Sequence, residues 1–266
     1  MQPQQNATST SRLNGAAPLP IPERLLGIAG VQPLELEVAQ VSDVGPRMRR
    51  LVLKGNLDAF KYQAGQDVML VLGGTLERPL SRRYTIRGFD AANKLLELNV
   101  VAHGIHGTGA RWAAGVQPGD KVNGVGPRGK IFLNPDADWH LFLGDESAAP
   151  AFLAMLEALP LNTPGVAYLE VPTAEDRLPT GTAHDVRWLY RGEEVAWQSS
   201  RLVEAMSAAD LPAGRGHVYF AGEVQVVAAV QRAALERGLT MEQLSPKAYW
   251  GRGKANANNG EPERER

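Results

Sequence analysis

The chain contains no cysteine among its 266 residues. Disulfides, thiol nucleophiles and cysteine-ligated iron–sulfur clusters are therefore excluded. It is poor in histidine, with five residues, of which only His103 and His106 lie close together. Their spacing suits one helical face, but they sit in a Gly-rich stretch with no carboxylate near in sequence, so no metal site is expected. Neither sign of charge is in excess. Twenty-eight Lys and Arg stand against 29 Asp and Glu, a net charge of -1, which lends no support to general nucleic-acid binding. No apolar run approaches the roughly 20 residues needed to span a bilayer, so no membrane insertion is expected. The opening Met1-Gln2-Pro3-Gln4-Gln5 lacks a basic stretch followed by an apolar core. No secretory signal is read there, and a cytoplasmic location is expected.

What is present suits a globular protein: 44% hydrophobic and 21% charged residues, in a length that holds two modest domains. Residues 1–30 are rich in Gln, Asn, Ser, Pro and Ala and read as a flexible leader, with a short helix near Pro22–Leu26. Residues 31–136 hold six short strand-like segments. They are Leu34–Val38, Met48–Leu53 after a turn at Val41–Pro46, Asp67–Leu72, Arg82–Arg87, Leu95–Val101 and Asp120–Val125. Short strands separated by turn signals predict an antiparallel barrel. Gln117-Pro118-Gly119-Asp120 fits a type II turn.

From residue 137 the rhythm changes. Short apolar strands at Trp139–Leu143, Gly165–Val171, Asp185–Tyr190 and His217–Phe220 alternate with helical stretches at Ala148–Leu159, Leu202–Met206 and Val224–Arg237. That alternation predicts a parallel α/β sheet over 137–254. Asp145 or Ser147 is placed to cap the first of these helices, and Gly238 to end the last. Residues 255–266 read as a disordered tail.

The stretch that organises the chain is Arg82-Arg83-Tyr84-Thr85-Ile86-Arg87. In a strand, Arg82 and Tyr84 share one face, and Arg83 and Thr85 the other. A guanidinium fork beside a flat phenol ring suits a nucleotide that carries both phosphate and a conjugated ring. An edge strand with solvated arginines is the plainer alternative. Further on, the glycines of His103-Gly104-Ile105-His106-Gly107-Thr108-Gly109 precede a helix-forming run, a setting in which backbone N–H groups bind anions. Two strands of the α/β half end in small-residue turns with acids, Gly144-Asp145-Glu146 and Ala221-Gly222-Glu223. In parallel sheets ligands bind at such carboxyl ends.

Taken together and in order, these segments resemble the ferredoxin–NADP reductase superfamily. More closely they resemble the siderophore-interacting proteins, which are FAD-dependent ferric-siderophore reductases. The features that carry the likeness are Arg82–Arg87, His103-Gly104 with Gly107 through Trp112, Pro118-Gly119-Asp120, Gly126-Pro127-Arg128-Gly129, Gly144–Ser147, Ala221–Glu223 and Tyr249-Trp250-Gly251-Arg252-Gly253. The chain departs from the family pattern at Thr108, where Pro is frequent, at Ala110, where Ser or Thr is frequent, and at Asn99, where Asp is frequent.

The resemblance implies a barrel that binds FAD and an α/β domain that binds NAD(P)H. Arg82 would contact FAD phosphate, Tyr84 would pack on the isoalloxazine, and Thr85 would bond its N5 region. His103 and the loop Gly107-Thr108-Gly109-Ala110, with Trp112 behind it, would hold the pyrophosphate and ribityl parts. Gly144, Asp145, Glu146, Ser147, Ala221, Gly222 and Glu223 would border the nicotinamide. The substrate would be a ferric siderophore drawn by a basic patch, for which Lys247, Arg252 and Lys254 are candidates and Lys61 a lesser one; each is equally well read as solvated surface charge. Between the two donors, Arg177 and Arg191 near the second strand tilt the expectation to NADPH. No residue need act as acid or nucleophile, and a monomer is expected. A general NAD(P)H:flavin or quinone reductase and a non-catalytic siderophore-binding protein are the competing functions.

Overall fold

The computed structural model describes residues 17–27, 30–75, 79–102, 108–129 and 131–251. A one-turn helix, α1 (Glu23–Leu26), stands where a short helix is expected. The first lobe then comprises β1 (Gln32–Gly45), β2 (Met48–Gly55), β3 (Asp67–Gly74), β4 (Pro79–Asp90), β5 (Leu95–Val101), helix α2 (Thr108–Gly115) and β6 (Lys121–Arg128). The strands close into an antiparallel barrel in the order β1-β2-β5-β4-β3-β6. Its core is built from alternate positions: Leu34, Leu36 and Val38 of β1, Leu51 and Leu53 of β2, Val68 and Leu70 of β3, Leu96 and Leu98 of β5. Each such side chain contributes roughly 1.5–3 kcal/mol when fully buried. Helix α2 adds Trp112 and Ala113 to the same core. The turn before β6 forms as expected: the Asp120 N–H donates to the Gln117 carbonyl at 3.1 Å, and Gly119 takes φ +91°.

One expectation fails in this lobe. Val41–Gly45, read as a turn, continues β1, and the reversal falls at Pro46-Arg47. A register shift between Val38 and Gln40 interrupts the alternation that marks the strand. The hairpin so lengthened reaches the second lobe, where Val44 packs on that lobe's core and Arg47 Nη1 donates to Asp176 Oδ2 at 2.6 Å.

The second lobe comprises β7 (Trp139–Gly144), α3 (Ala149–Ala158), β8 (Gly165–Val171), β9 (Asp185–Tyr190), α4 (Arg201–Ala208), β10 (Gly216–Glu223), α5 (Val224–Glu236) and β11 (Leu244–Trp250). All pairings in its sheet are parallel, in the order β11-β10-β7-β8-β9. β7 and β10 are buried along their whole length, which explains their unbroken apolar runs. β7 sends Trp139, Leu141 and Leu143 to the face covered by α4 and α5, and Phe142 to the face covered by α3. Helix α3 lies between sheet and barrel, sharing a core with Met48 and Ala64. It is apolar nearly all round because both of its sides are covered. Its Glu157 receives both arms of Arg87 from β4 at 2.6 Å each. Strand β11 has no counterpart among the segments expected from the sequence. Pro246 breaks its pattern, and an edge strand tolerates that proline.

Candidate functional site

β4 divides its side chains as its alternation requires. On one face the Tyr84 ring lies against Trp112 of α2, with centroids 5.6 Å apart and planes tilted 30°. Arg82 shares that face, its Nη1 donating to the Ser81 carbonyl at 2.8 Å. The first turn of α2 presses close to both. A Cβ added at Gly109 would lie 3.0 Å from the Tyr84 hydroxyl and 3.4 Å from Arg82 Cγ. Among the described residues the buried Tyr84 hydroxyl has no hydrogen-bond partner, and its burial pushes the phenol pKa up. A phenol with no partner among the described residues, a guanidinium and the amides of a helix start form a set that fits a dinucleotide. Thr108 opens α2, so Gly109 and Ala110 belong to its first turn and not to a loop. His103, Gly107 and the side chain of Thr108 lie outside the described residues.

The other face of β4 turns to the second lobe. Thr85 Oγ1 lies 3.4 Å from the Tyr249 hydroxyl of β11. Asp67 of β3 is the cross-strand neighbour of Thr85. It accepts from Arg83 Nη2 at 2.6 Å and from Lys247 Nζ at 3.3 Å. Lys247 and Tyr249, two residues apart on β11, thus meet Asp67 and Thr85 as a pair, and the Lys247 ammonium sits 5.4 Å from the Tyr249 ring centre. Lys247 is 8% exposed, so it is neither a solvated surface charge nor an open patch. Lys61 is exposed. Arg252 and Lys254 lie outside the described residues.

At the carboxyl ends of β7 and β10 the two acid-bearing turns are neighbours, with Gly144 and Ala221 in register. Asp145 joins them. Its Oδ1 accepts from the Ser147 N–H at 2.9 Å and the Ser147 hydroxyl at 2.5 Å. Its Oδ2 accepts from the Glu223 N–H at 3.0 Å and from Trp250 Nε1 at 2.8 Å. A Cβ at Gly222, whose φ is +139°, would lie 2.5 Å from that carboxylate, so only glycine permits the approach. Burial, with Glu146 next in effect, pushes the Asp145 pKa up to about 7. The expected cap of α3 by Asp145 or Ser147 is not formed. The Asp145 carboxylate is drawn sideways to β10 and β11, and its main-chain carbonyl takes the Ala148 and Ala149 amides instead. Glu223 caps α5, accepting from the Gln225 and Val226 amides.

Glu146 takes both arms of Arg191 at 2.6 and 2.7 Å in a buried pair. Glu170 stands 3.6 Å from the same guanidinium, and burial raises its pKa. Arg191 is therefore committed, which removes it as a partner for a nucleotide phosphate. Beside this pair lies a cavity of about 260 Å³ lined by Arg47, Glu146, Pro172, Arg191, Trp197 and Trp250. The two indoles meet edge to face at 6.3 Å and 81°, giving the cavity an aromatic wall. No motif in the sequence singles out Asp67, Arg47 or Trp197. The one available signal was Asp67 itself, a lone acid opening an apolar strand.

Residues 137–253 match the family model for "Siderophore-interacting protein", and residues 73–131 that for "Siderophore-interacting FAD-binding domain". The uncharacterized protein Rv2895c of Mycobacterium tuberculosis is 39% identical over 192 residues, 68% of each chain. Ferric vibriobactin reductase ViuB of Vibrio cholerae serotype O1 is 33% identical over 184 residues, 66% of each chain. The NADPH-dependent ferric-chelate reductase of Escherichia coli is 27% identical over 178 residues, 65% of this chain and 67% of that one. Among solved structures, a siderophore utilization protein from T. fusca superposes with a TM-score of 0.75 at 29% identity, covering 85% of this chain and 95% of that one. A ferredoxin-NADP+ reductase from Plasmodium falciparum shares the fold, with a TM-score of 0.66 at 15% identity over 82% of this chain and 96% of that one.

Proposed function

The chain belongs to the siderophore-interacting protein family, and from that membership and the geometry of β4 we infer an FAD-dependent NAD(P)H oxidoreductase that reduces ferric siderophores and so frees Fe(II). The observation that carries this reading is the division of β4. Arg82 and Tyr84 face the start of α2 with a phenol that has no partner among the described residues, while Thr85 faces Tyr249 across the lobe boundary.

In this scheme Arg82 and the first amides of α2 hold the pyrophosphate of FAD, and Tyr84 holds its ring system. When bound, FAD supplies the exchange between a two-electron nicotinamide donor and a one-electron iron acceptor. Thr85 places a hydroxyl at the boundary where the two lobes meet, and Tyr249 closes that boundary from the other side. The cavity walled by Trp197 and Trp250 receives the nicotinamide nucleotide, framed by the two turns that Asp145 joins. NADPH is the proposed donor, supported by the NADPH dependence of the Escherichia coli relative and by the exposed Arg177. Lys247, Arg83 and Arg128 gather positive charge around Asp67, and that charge favours an anionic ferric complex over an uncharged quinone. Protein groups bind and orient; none is required to transfer a proton.

The test is spectroscopic. Purified protein should show a flavin absorbance spectrum, bleach on anaerobic addition of NADPH, and regain colour on addition of a ferric siderophore faster than on addition of free flavin or quinone. Protein that is colourless and refuses added FAD would sink the reading, and faster reoxidation by quinone would move it to a general reductase.

A further inference from the structure

Asp67 is a buried acid that the proposed reaction does not require. It opens β3 and is 3% exposed. Its hydrogen bonds converge on one oxygen: Oδ2 accepts from Arg83 Nε at 3.1 Å, Arg83 Nη2 at 2.6 Å and Lys247 Nζ at 3.3 Å. Oδ1 is buried with no hydrogen-bond partner among the described residues. Arg128 of β6 is the cross-strand neighbour of Asp67. Burial by itself would raise the Asp67 pKa, yet Lys247, Arg83 and Arg128 together outweigh it and hold the carboxyl below its usual value. Three cations, from β4, β6 and β11, therefore surround one carboxylate.

Arg191–Glu146 and Arg87–Glu157 use both carboxylate oxygens, at 2.6–2.7 Å, whereas Asp176 takes Arg47 and Thr173 on Oδ2 alone, at 2.6–3.1 Å. Asp67 also uses one, and its bond across the lobe boundary is the longer 3.3 Å contact to Lys247. The lobes are already tied by Arg87–Glu157 and by Arg47–Asp176. The Asp67–Lys247 contact is thus the longest of the three. Arg83, with 36% of its side chain exposed, marks the side from which the cluster is reached.

Resting on the ferric-complex site proposed above, we propose that Asp67 is a built-in counter-anion: it occupies Lys247 and Arg83 until a multiply charged anionic ferric complex displaces it, and it retakes them when the complex leaves. Asp67 therefore lowers the affinity of the site for anionic complexes and speeds their release. An uncharged complex cannot compete for those cations, so its binding is independent of Asp67.

The test uses Ga(III) complexes, which bind like Fe(III) complexes but are not reduced, so the result does not depend on flavin turnover. Binding and dissociation of Ga(III) tris(catecholate), which is anionic, and of uncharged Ga(III) tris(hydroxamate) are measured on the wild type, Asp67→Asn and Asp67→Ser, with thermal melts alongside. Removing the carboxylate should tighten the tris(catecholate) about tenfold, mainly through slower dissociation, and leave the tris(hydroxamate) within about twofold. Equal shifts for both complexes, or none, would overturn the proposal. Failure of both variants to fold would also overturn it, because a carboxylate that substrate displaces cannot be one the fold depends on. Binding of neither complex by the wild type would overturn the ferric-complex site itself. Tightening of the tris(catecholate) without any ferric reduction would leave this proposal standing and remove the reductase.

Discussion

Thr85 and Tyr249, 164 residues apart in sequence, bring their hydroxyl oxygens to within 3.4 Å across the boundary between the barrel and the α/β lobe. A single neutral bond of that length adds at most about 1 kcal/mol to stability. Tyr249→Phe should therefore melt within a few degrees of the wild type. Thr85→Ala should do the same, yet lower kcat with NADPH more than it changes KM, because its hydroxyl lies at the lobe boundary where electron transfer is proposed. A change in KM alone would assign Thr85 to nucleotide binding.

Gly109 offers a test in which stability and cofactor binding move apart. Alanine is favoured over glycine in a helix by about 1 kcal/mol. An added Cβ here meets the Tyr84 hydroxyl at 3.0 Å and Arg82 Cγ at 3.4 Å, on the face proposed to hold FAD. Gly109→Ala should change the stability of the cofactor-free protein by no more than about 1 kcal/mol, the helix gain being opposed by the tight contact with Tyr84. Its FAD affinity, followed by flavin fluorescence on titration, should fall about tenfold or more. Unchanged affinity would place the dinucleotide elsewhere.

Arg191 is predicted to be structural. It sits between Glu146 and Glu170, both of which are buried. Arg191→Ala leaves two acids without their cation and should cost about 3–5 kcal/mol in chemical denaturation. If Arg191→Ala instead kept its stability and lost NADPH binding, the side chain would be a nucleotide contact after all.

Asp145 makes stability depend on pH. Its pKa is raised from 3.8 to about 7 in the folded protein, so the folded state holds its proton more tightly than the unfolded chain does. Its contribution is thus fully present below about pH 4 and is lost as the pH rises to about 7. Asp145→Asn removes this dependence, and the difference between the Tm–pH curves of wild type and variant isolates it. A difference that stays flat over that window would rule out the raised pKa.

The barrel was legible in the sequence because strand-like segments recur with turn residues between them; Leu34-Glu35-Leu36-Glu37-Val38, which alternates cleanly, is the plainest case. β4 was legible for the same reason, and the split between Arg82 with Tyr84 and Arg83 with Thr85 follows from strand geometry alone. β11 was not, since Ser245-Pro246-Lys247 reads as a loop unless an edge position in a sheet is already known. The pairing of Arg191 with Glu146, and of Asp145 with Glu223 and Trp250 in place of a cap on α3, was not legible because those partners are distant in sequence. Local pattern shows which residues carry charge. It does not show which charges the fold consumes.

β11 comes late in the order of synthesis. The six strands of the barrel end at Arg128, more than a hundred residues before β11 begins at Leu244. On the ribosome the barrel can close, and with it the face carrying Arg82 and Tyr84, long before Lys247, Tyr249 and Trp250 emerge. Those three bring Asp67, Thr85 and Asp145 their partners in a single step, as one strand is added to the sheet's edge. On the proposed function, a nascent chain would hold the cofactor face of the barrel before the lobe boundary is complete, and electron transfer would wait until the edge strand docks.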